Sequence, residues 1–277
     1  MYSLFTLFLT LIFLINTATA AGPATAAAPD VMTIMKKTKE AFEPMRPSKR
    51  KMIITVKSKD ETVQLVAGQA LKNFPDGKRM LIVMLEPADI KGMAFLVYER
   101  NDKPDVMFVY LPALRRVKEI KGLVDQYASF LGTDFTFADL GFIKLHKYYR
   151  LLGEENHGGV QAYKIESKVP AEKDYFSQII TWVAADTLLP LQRDFYGPPG
   201  DLWKTELFED VSVINGVPTP LRIKMKDLES NGSTELYLSD VEYDIPIPDS
   251  IFEPQWLPQV STHECWQHYC SAPAMKK

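Results

Sequence analysis

Cysteine is scarce, catalytic signatures are missing and only one apolar run is long. Each lack narrows what the chain can be. The two cysteines in 277 residues, Cys265 and Cys270, both lie near the C-terminal end. The main body must therefore stand on its hydrophobic core without a disulfide framework. There is no G-x-S-x-G elbow, no H-E-x-x-H pair and no phosphate-cradling glycine loop. Ser129, Asp134 and His146 can be written as a triad, but their order and context match no strained nucleophile turn. A formal net charge of −3 argues against nucleic acid as a partner. Beyond residue 15 no apolar run is long enough to cross a membrane as a helix, and no internal repeat is visible. The expectation is a non-enzyme with no cofactor and no metal.

The one long apolar run, "LFTLFLTLIFLI" at Leu4–Ile15, is too short to span a bilayer comfortably. Ala18, Thr19 and Ala20 follow it as an A-x-A cleavage signal. The reading is a signal peptide over residues 1–20, cleaved near Ala20, then a flexible leader over 21–29 and an exported, periplasmic protein. A retained anchor is the alternative, because Met1 to Ser3 carry no lysine or arginine. No cysteine follows the cleavage point to take a lipid.

About 250 residues remain, enough for one large all-β domain or two small ones. Asp30 is placed to cap a helix that runs to about Glu43 and stops at Pro44. Its apolar face is Val31, Ile34, Met35, Thr38, Ala41 and Phe42. Nearly everything after it reads as strand: "KMIITVKS", "TVQLVAGQAL", "KRMLIVMLEP", "GMAFLVYER", "DVMFVYLP", and seven more after residue 145. Turn chemistry such as "PDG", "ENHGG", "INGVPTP" and "SNGS" separates them. About a dozen closely spaced strands suit one antiparallel sheet or barrel. Several, among them Met80 to Glu86, are apolar at both parities, so both faces of the sheet are expected to be covered. A sandwich core and a ligand cavity in a half-closed barrel both explain that pattern.

Between the two blocks of strands lies "VYLPALRRVKEI", then "SFLGTDFTFADL". These residues resemble the outer-membrane lipoprotein-sorting proteins, the LolA-like group. The matching positions are Tyr110, Leu111, Pro112, Arg115, Arg116, Ser129, Phe130, Gly132, Asp134, Phe135, Asp139 and Leu140. "EPADIKGMAFL" upstream and "IPDSIFEPQWL" downstream extend the likeness over residues 30–257. It implies a mainly β (α+β) fold: a strongly curved antiparallel sheet, an incomplete barrel, closed by a few helices. It also implies a periplasmic carrier that takes acyl chains of a lipid or lipoprotein into an apolar cavity and passes them between an inner-membrane transporter and an outer-membrane acceptor. A lipid or lipoprotein sensor, or an accessory subunit of a membrane transporter, is the alternative.

With that cavity in view, strand position and size nominate Phe95, Phe108, Tyr110, Phe130, Phe135, Trp182, Phe195 and Trp203 as its walls. Asp134 and Asp139 are expected to cap short turns or to pair with Arg115 and Arg116, pinning a lid to the sheet. Otherwise those arginines face an anionic headgroup. The tail from residue 258 departs from the pattern. In an oxidising compartment Cys265 and Cys270 are expected to form a disulfide. Zinc or copper binding by His263, Cys265, His268 and Cys270, or free thiols, are the alternatives.

Overall fold

The computed structural model describes residues 30–260 other than 102, 170–174, 199 and 230–231, together with 262 and 266. The proposed signal peptide and leader, and His263, Cys265, His268 and Cys270, lie outside the described residues.

Asp30 caps α1 (Val31–Phe42), its carboxylate accepting from the Thr33 amide at 3.1 Å. Thirteen strands follow: β1 (Ser48–Lys57), β2 (Thr62–Phe74), β3 (Gly77–Glu86), β4 (Ala94–Arg100), β5 (Val106–Leu111), β6 (Arg116–Ile120), β7 (Tyr148–His157), β8 (Val160–Lys168), β9 (Gln178–Ala184), β10 (Pro190–Tyr196), β11 (Leu202–Ile214), β12 (Val217–Asp227) and β13 (Ser233–Tyr243). The described residues also hold short α-helices α2 (Gly122–Gln126) and α3 (Leu257–Val260) and three single-turn 3-10 helices. The turns use the expected residues: between β11 and β12, Asn215 and Gly216 both have positive φ, 48° and 78°, as a type I′ hairpin requires.

All the strands form one antiparallel sheet in the order β6-β5-β4-β3-β2-β1-β13-β12-β11-β10-β9-β8-β7. Every neighbour is consecutive in sequence except β1 with β13. The two edges, β6 and β7, do not pair, so the barrel is incomplete. The chain between them, residues 121–147, runs from one edge to the other and lies on one face, here called the inner face. Phe130, Phe135, Leu140 and Phe142 of this connection share a cluster with Met107 of β5, Phe95 of β4, Met52 of β1, Leu238 of β13 and Phe195 of β10. Strands from both halves of the sheet reach one connection, which requires the sheet to curve around it.

The outer face of β2–β5 has a different cover. Val66, Leu81, Val83, Leu96 and Tyr110 pack against Ile247, Ile251, Phe252, Leu257, Val260 and Trp266 from the C-terminal segment. This accounts for strands apolar at both parities: one side faces the inner cluster and the other this segment. Trp266 is fully buried, and its ring lies over Gly68 of β2, where any Cβ would overlap it. Residues beyond 257, read from sequence as tail, thus contribute Val260 and Trp266 to the core.

Trp266→Ala should lower unfolding free energy by about 3 kcal/mol or more, the usual cost of emptying a fully buried aromatic site. Gly68→Ala should destabilise by displacing the same ring. Urea unfolding of both variants checks this; unchanged midpoints would show that the C-terminal segment adds nothing to the core.

Candidate functional site

A cavity of about 130 Å³ lies between the inner face, the C-terminal end of α1 and the covering connection. Its apolar wall includes Met52, Leu71, Met80, Phe135, Phe176, Ile179, Phe195, Ile223, Leu236 and Leu238. Arg50, Gln69, Lys144, His146, Arg193, Glu206 and Thr219 interrupt that wall.

Two buried polar anchors hold the cover. At the first, Lys204 of β11 is 2% exposed. Its Nζ donates to the Asp134 carbonyl at 2.9 Å and to Asp139 Oδ2 at 3.3 Å. Asp139 also accepts from the backbone and hydroxyl of Thr136, each at 2.7 Å, closing a local turn. Thr234 of β13 accepts from the Asp134 amide at 2.9 Å and donates to its carboxylate at 2.7 Å. At the second anchor, Glu43 accepts from the Ile143 amide, while Lys39 Nζ donates to the Ile143 carbonyl at 2.6 Å and to Glu43 at 2.7 Å. Lys78 of β3 reaches the Glu43 carbonyl at 3.0 Å. Burial raises the Glu43 pKa against the pull of Lys39 and Lys78.

Glu206 of β11 accepts from Arg193 Nη1 of β10 at 3.1 Å. Burial dominates and pushes its pKa up to about 7, although Arg193 pulls it down. His146, on the cover, is pushed down to about 4 by burial, then by Arg193 and Lys144. Its ring is therefore neutral at physiological pH.

Of the residues nominated from sequence, Phe135 and Phe195 line the cavity. Phe95 and Phe130 belong to the same inner cluster, with Trp203 packed against it. Trp203 reaches inward because the β10–β11 register slips beside it: Phe195 opposes Lys204 but Tyr196 opposes Leu202, a β-bulge. Phe108, Tyr110 and Trp182 do not face the cavity. Phe108 and Tyr110 lie on the outer face under the C-terminal segment, since Met107 and Val109 take the inward parity. Trp182 packs outside with Ala162 and Ile180, and stacks on His157 at 4.9 Å. Asp139 meets Lys204, and Asp134 meets Thr234. Arg115 and Arg116 are exposed at the β5–β6 turn, Arg115 in the left-handed region. Ser129 Oγ donates to the Thr133 carbonyl at 2.7 Å. Lys204, Arg193, Glu206 and Glu43 were missed. An inward charge in a strand has no periodic signal of its own, although Lys204, Glu206 and Phe208 do share one parity.

Among the described residues no helix is long and apolar enough to cross a membrane, and no cluster of His, Cys, Asp and Glu could hold a metal.

A family model described as "Uncharacterized protein"-like matches residues 76–259. No curated protein matches the chain. Among solved structures, the chain is similar to a DUF1329 family protein from Desulfovibrio piger, with 28% identity over 82% of this chain and 97% of that one, and a TM-score of 0.75. It is also similar to a putative outer membrane lipoprotein-sorting protein domain from Vibrio parahaemolyticus, at 24% identity, 82% and 98% coverage and a TM-score of 0.77. A LolA superfamily protein from Nitrosomonas europaea shares 21% identity, with 83% and 100% coverage and a TM-score of 0.66. The last two likenesses establish the fold, as the resemblance implied.

Lys204→Met should cost about 3 kcal/mol of stability, because it leaves Asp139 buried without its cation; chemical unfolding measures it, and a neutral result would remove Lys204 as an anchor. The two shifted cavity groups should also oppose each other with pH. Folded Glu206 binds its proton more tightly than the unfolded chain does, so its contribution to stability falls as pH rises from about 4.5 to about 7. His146 resists protonation when folded, so its contribution falls as pH drops from about 6.5 to about 4. The stability difference between wild type and Glu206→Gln should shrink with rising pH, and that for His146→Asn should grow. Each slope is at most about 1.4 kcal/mol per pH unit, and flat differences across pH 4–7 would contradict both.

Proposed function

The chain belongs to the family whose model, described as "Uncharacterized protein"-like, spans residues 76–259, and from that premise we propose that it is a periplasmic carrier for the alkyl chains of a lipid or lipoprotein. The observation that carries this reading is an apolar cavity on the inner face of an unclosed sheet, under a cover held to that sheet by a few polar anchors. Burying a chain of about sixteen methylenes removes on the order of 12 kcal/mol of exposure, at roughly 0.8 kcal/mol each. A carrier across an aqueous compartment must supply that burial and then give it up. Its fold is also that of a protein called lipoprotein-sorting and of a LolA superfamily member, which supports the same role. The work is binding and release, with no chemical step.

The cavity of about 130 Å³ is smaller than the roughly 300–1,000 Å³ typical of ligand pockets. Taking up a whole chain therefore requires residues 121–147 to lift from the inner face. The anchors suit this: they fix where the cover sits, whereas buried ion pairs add little net stability because desolvation offsets their attraction. An exported N-terminus, as read from the sequence, supports a site of action between two membranes, where a donor transporter and an outer-membrane acceptor are the partners such a carrier needs.

Native mass spectrometry of the protein purified from its own cell envelope, followed by lipid extraction, tests the reading. A bound amphiphile near one per chain, transferable to acceptor vesicles, is the expected result. A protein that arrives empty and takes up no fluorescent fatty acid would overturn it. Tight binding without transfer would favour a sensor.

A further inference from the structure

A cavity meant for alkyl chains alone has no use for charge, yet this one carries several charged groups on its wall. Two of its carboxylates are engaged in holding the cover: Glu43 with Lys39, Lys78 and the Ile143 amide, and Asp139 with Lys204 and Thr136. Glu206 is the remaining acid, and it faces Arg193. Among the described residues the Arg193 side chain makes one protein hydrogen bond, from Nη1 to Glu206, and its guanidinium carbon lies 4.7 Å over the Phe195 ring. A guanidinium has five N–H donors in a planar fork, so most of this one is uncommitted while it lines the cavity. Lys144, half-buried on the cover, also lines it and has no ion pair among the described residues. Its contact is with the Tyr127 ring, 5.9 Å from Nζ. Burial lowers its pKa, outweighing the opposite pull of Asp105 and Asp139. The wall thus offers the spare donors of Arg193 and the ammonium of Lys144 next to the apolar surface of Phe135, Phe176 and Phe195.

We propose that the cavity selects an anionic amphiphile, its carboxylate or phosphate head held by the Arg193 fork with Lys144 as a second cation, and its alkyl chain laid along Phe135, Phe176 and Phe195. The proposal rests on the carrier reading and adds the chemical class of the cargo. Planar bidentate recognition of such heads is what arginine supplies and lysine alone does not.

Glu206 then stands in for the ligand when the cavity is empty. An anion on Arg193 removes the partner of Glu206 and places a like charge beside it, so Glu206 takes a proton from solvent as the ligand binds. The groups that face Glu206 are Arg193 of β10, Asp139 of the cover and Lys204 of its own strand. Lys144 and His146 of the cover and Arg50 of β1 share the cavity wall. His146 stays neutral above about pH 4 and does not contribute between pH 6 and 8. Affinity for an anionic head should therefore weaken as pH rises above about 7, by at most about tenfold per unit.

Calorimetric titration of the full chain with dodecanoate, dodecanol, dodecylammonium, acetate and inorganic phosphate tests this. At pH 6, dodecanoate should bind at least about tenfold tighter than dodecanol, the scale of one charge-assisted head contact. Arg193→Gln should erase that preference. Glu206→Gln should bind dodecanoate equally at pH 6 and pH 8. Equal wild-type affinity for dodecanoate and dodecanol would overturn the head assignment while leaving the carrier reading intact. A preference for dodecylammonium would overturn it too, by reversing the sign. Acetate or phosphate binding as tightly as dodecanoate would reduce the site to one for small anions. Binding of none of the three dodecyl compounds would sink the carrier reading and this proposal with it. The wild-type comparisons decide the question even if a variant fails to fold.

Discussion

An antiparallel sheet whose edges never meet must cover its inner face with something other than itself, and the rest of this structure follows from how that is done. Among the described residues, the connection between the two edges, residues 121–147, is what spans the gap from β6 to β7. It cannot join the sheet as a strand without closing it, so it lies across the face and buries Phe130, Phe135, Leu140 and Phe142 there. Lys204 at Asp134 and Asp139, and Glu43 at Ile143, fix its position through backbone atoms as well as side chains.

That arrangement divides labour between apolar and polar contacts. The apolar contacts supply most of the favourable free energy, because hydrophobic burial scales with area and has no direction. The buried lysines and carboxylates supply direction, since each has one geometry in which it is satisfied. A cover held by area alone could slide; one held by charge alone would gain little from burial. The combination gives the connection one resting position on the inner face.

Much of the fold was legible because its local chemistry is unambiguous. The Asp30 cap, the stop at Pro44, the Asn215–Gly216 hairpin and the alternation of strands with turn residues each point to one structure. The candidate site was less legible. Strands apolar at both parities, such as "VMFVYL", do not say which parity is inside: Met107 and Val109 turn inward while the larger Phe108 and Tyr110 turn outward. Trp182 misleads for the same reason. Trp203 faces inward only because of a bulge that composition does not announce. The charges that shape the cavity, Arg193, Glu206 and Lys204, sit on strands where a charge ordinarily marks the solvent side. Arg115 and Arg116, prominent in sequence, are exposed at a turn.

The seam between β1 and β13 is the one place where the sheet joins strands far apart in the chain, Ile54 against Leu236 for example. On either side of it lie runs of hairpins, β1 to β6 and β7 to β13, that need only near neighbours in order to form. In terms of chain entropy, the long loop closes once, at this seam, rather than strand by strand. The two halves can each curl independently, and their meeting brings the inner face into being, so the cavity is a property of the joined sheet and of neither half.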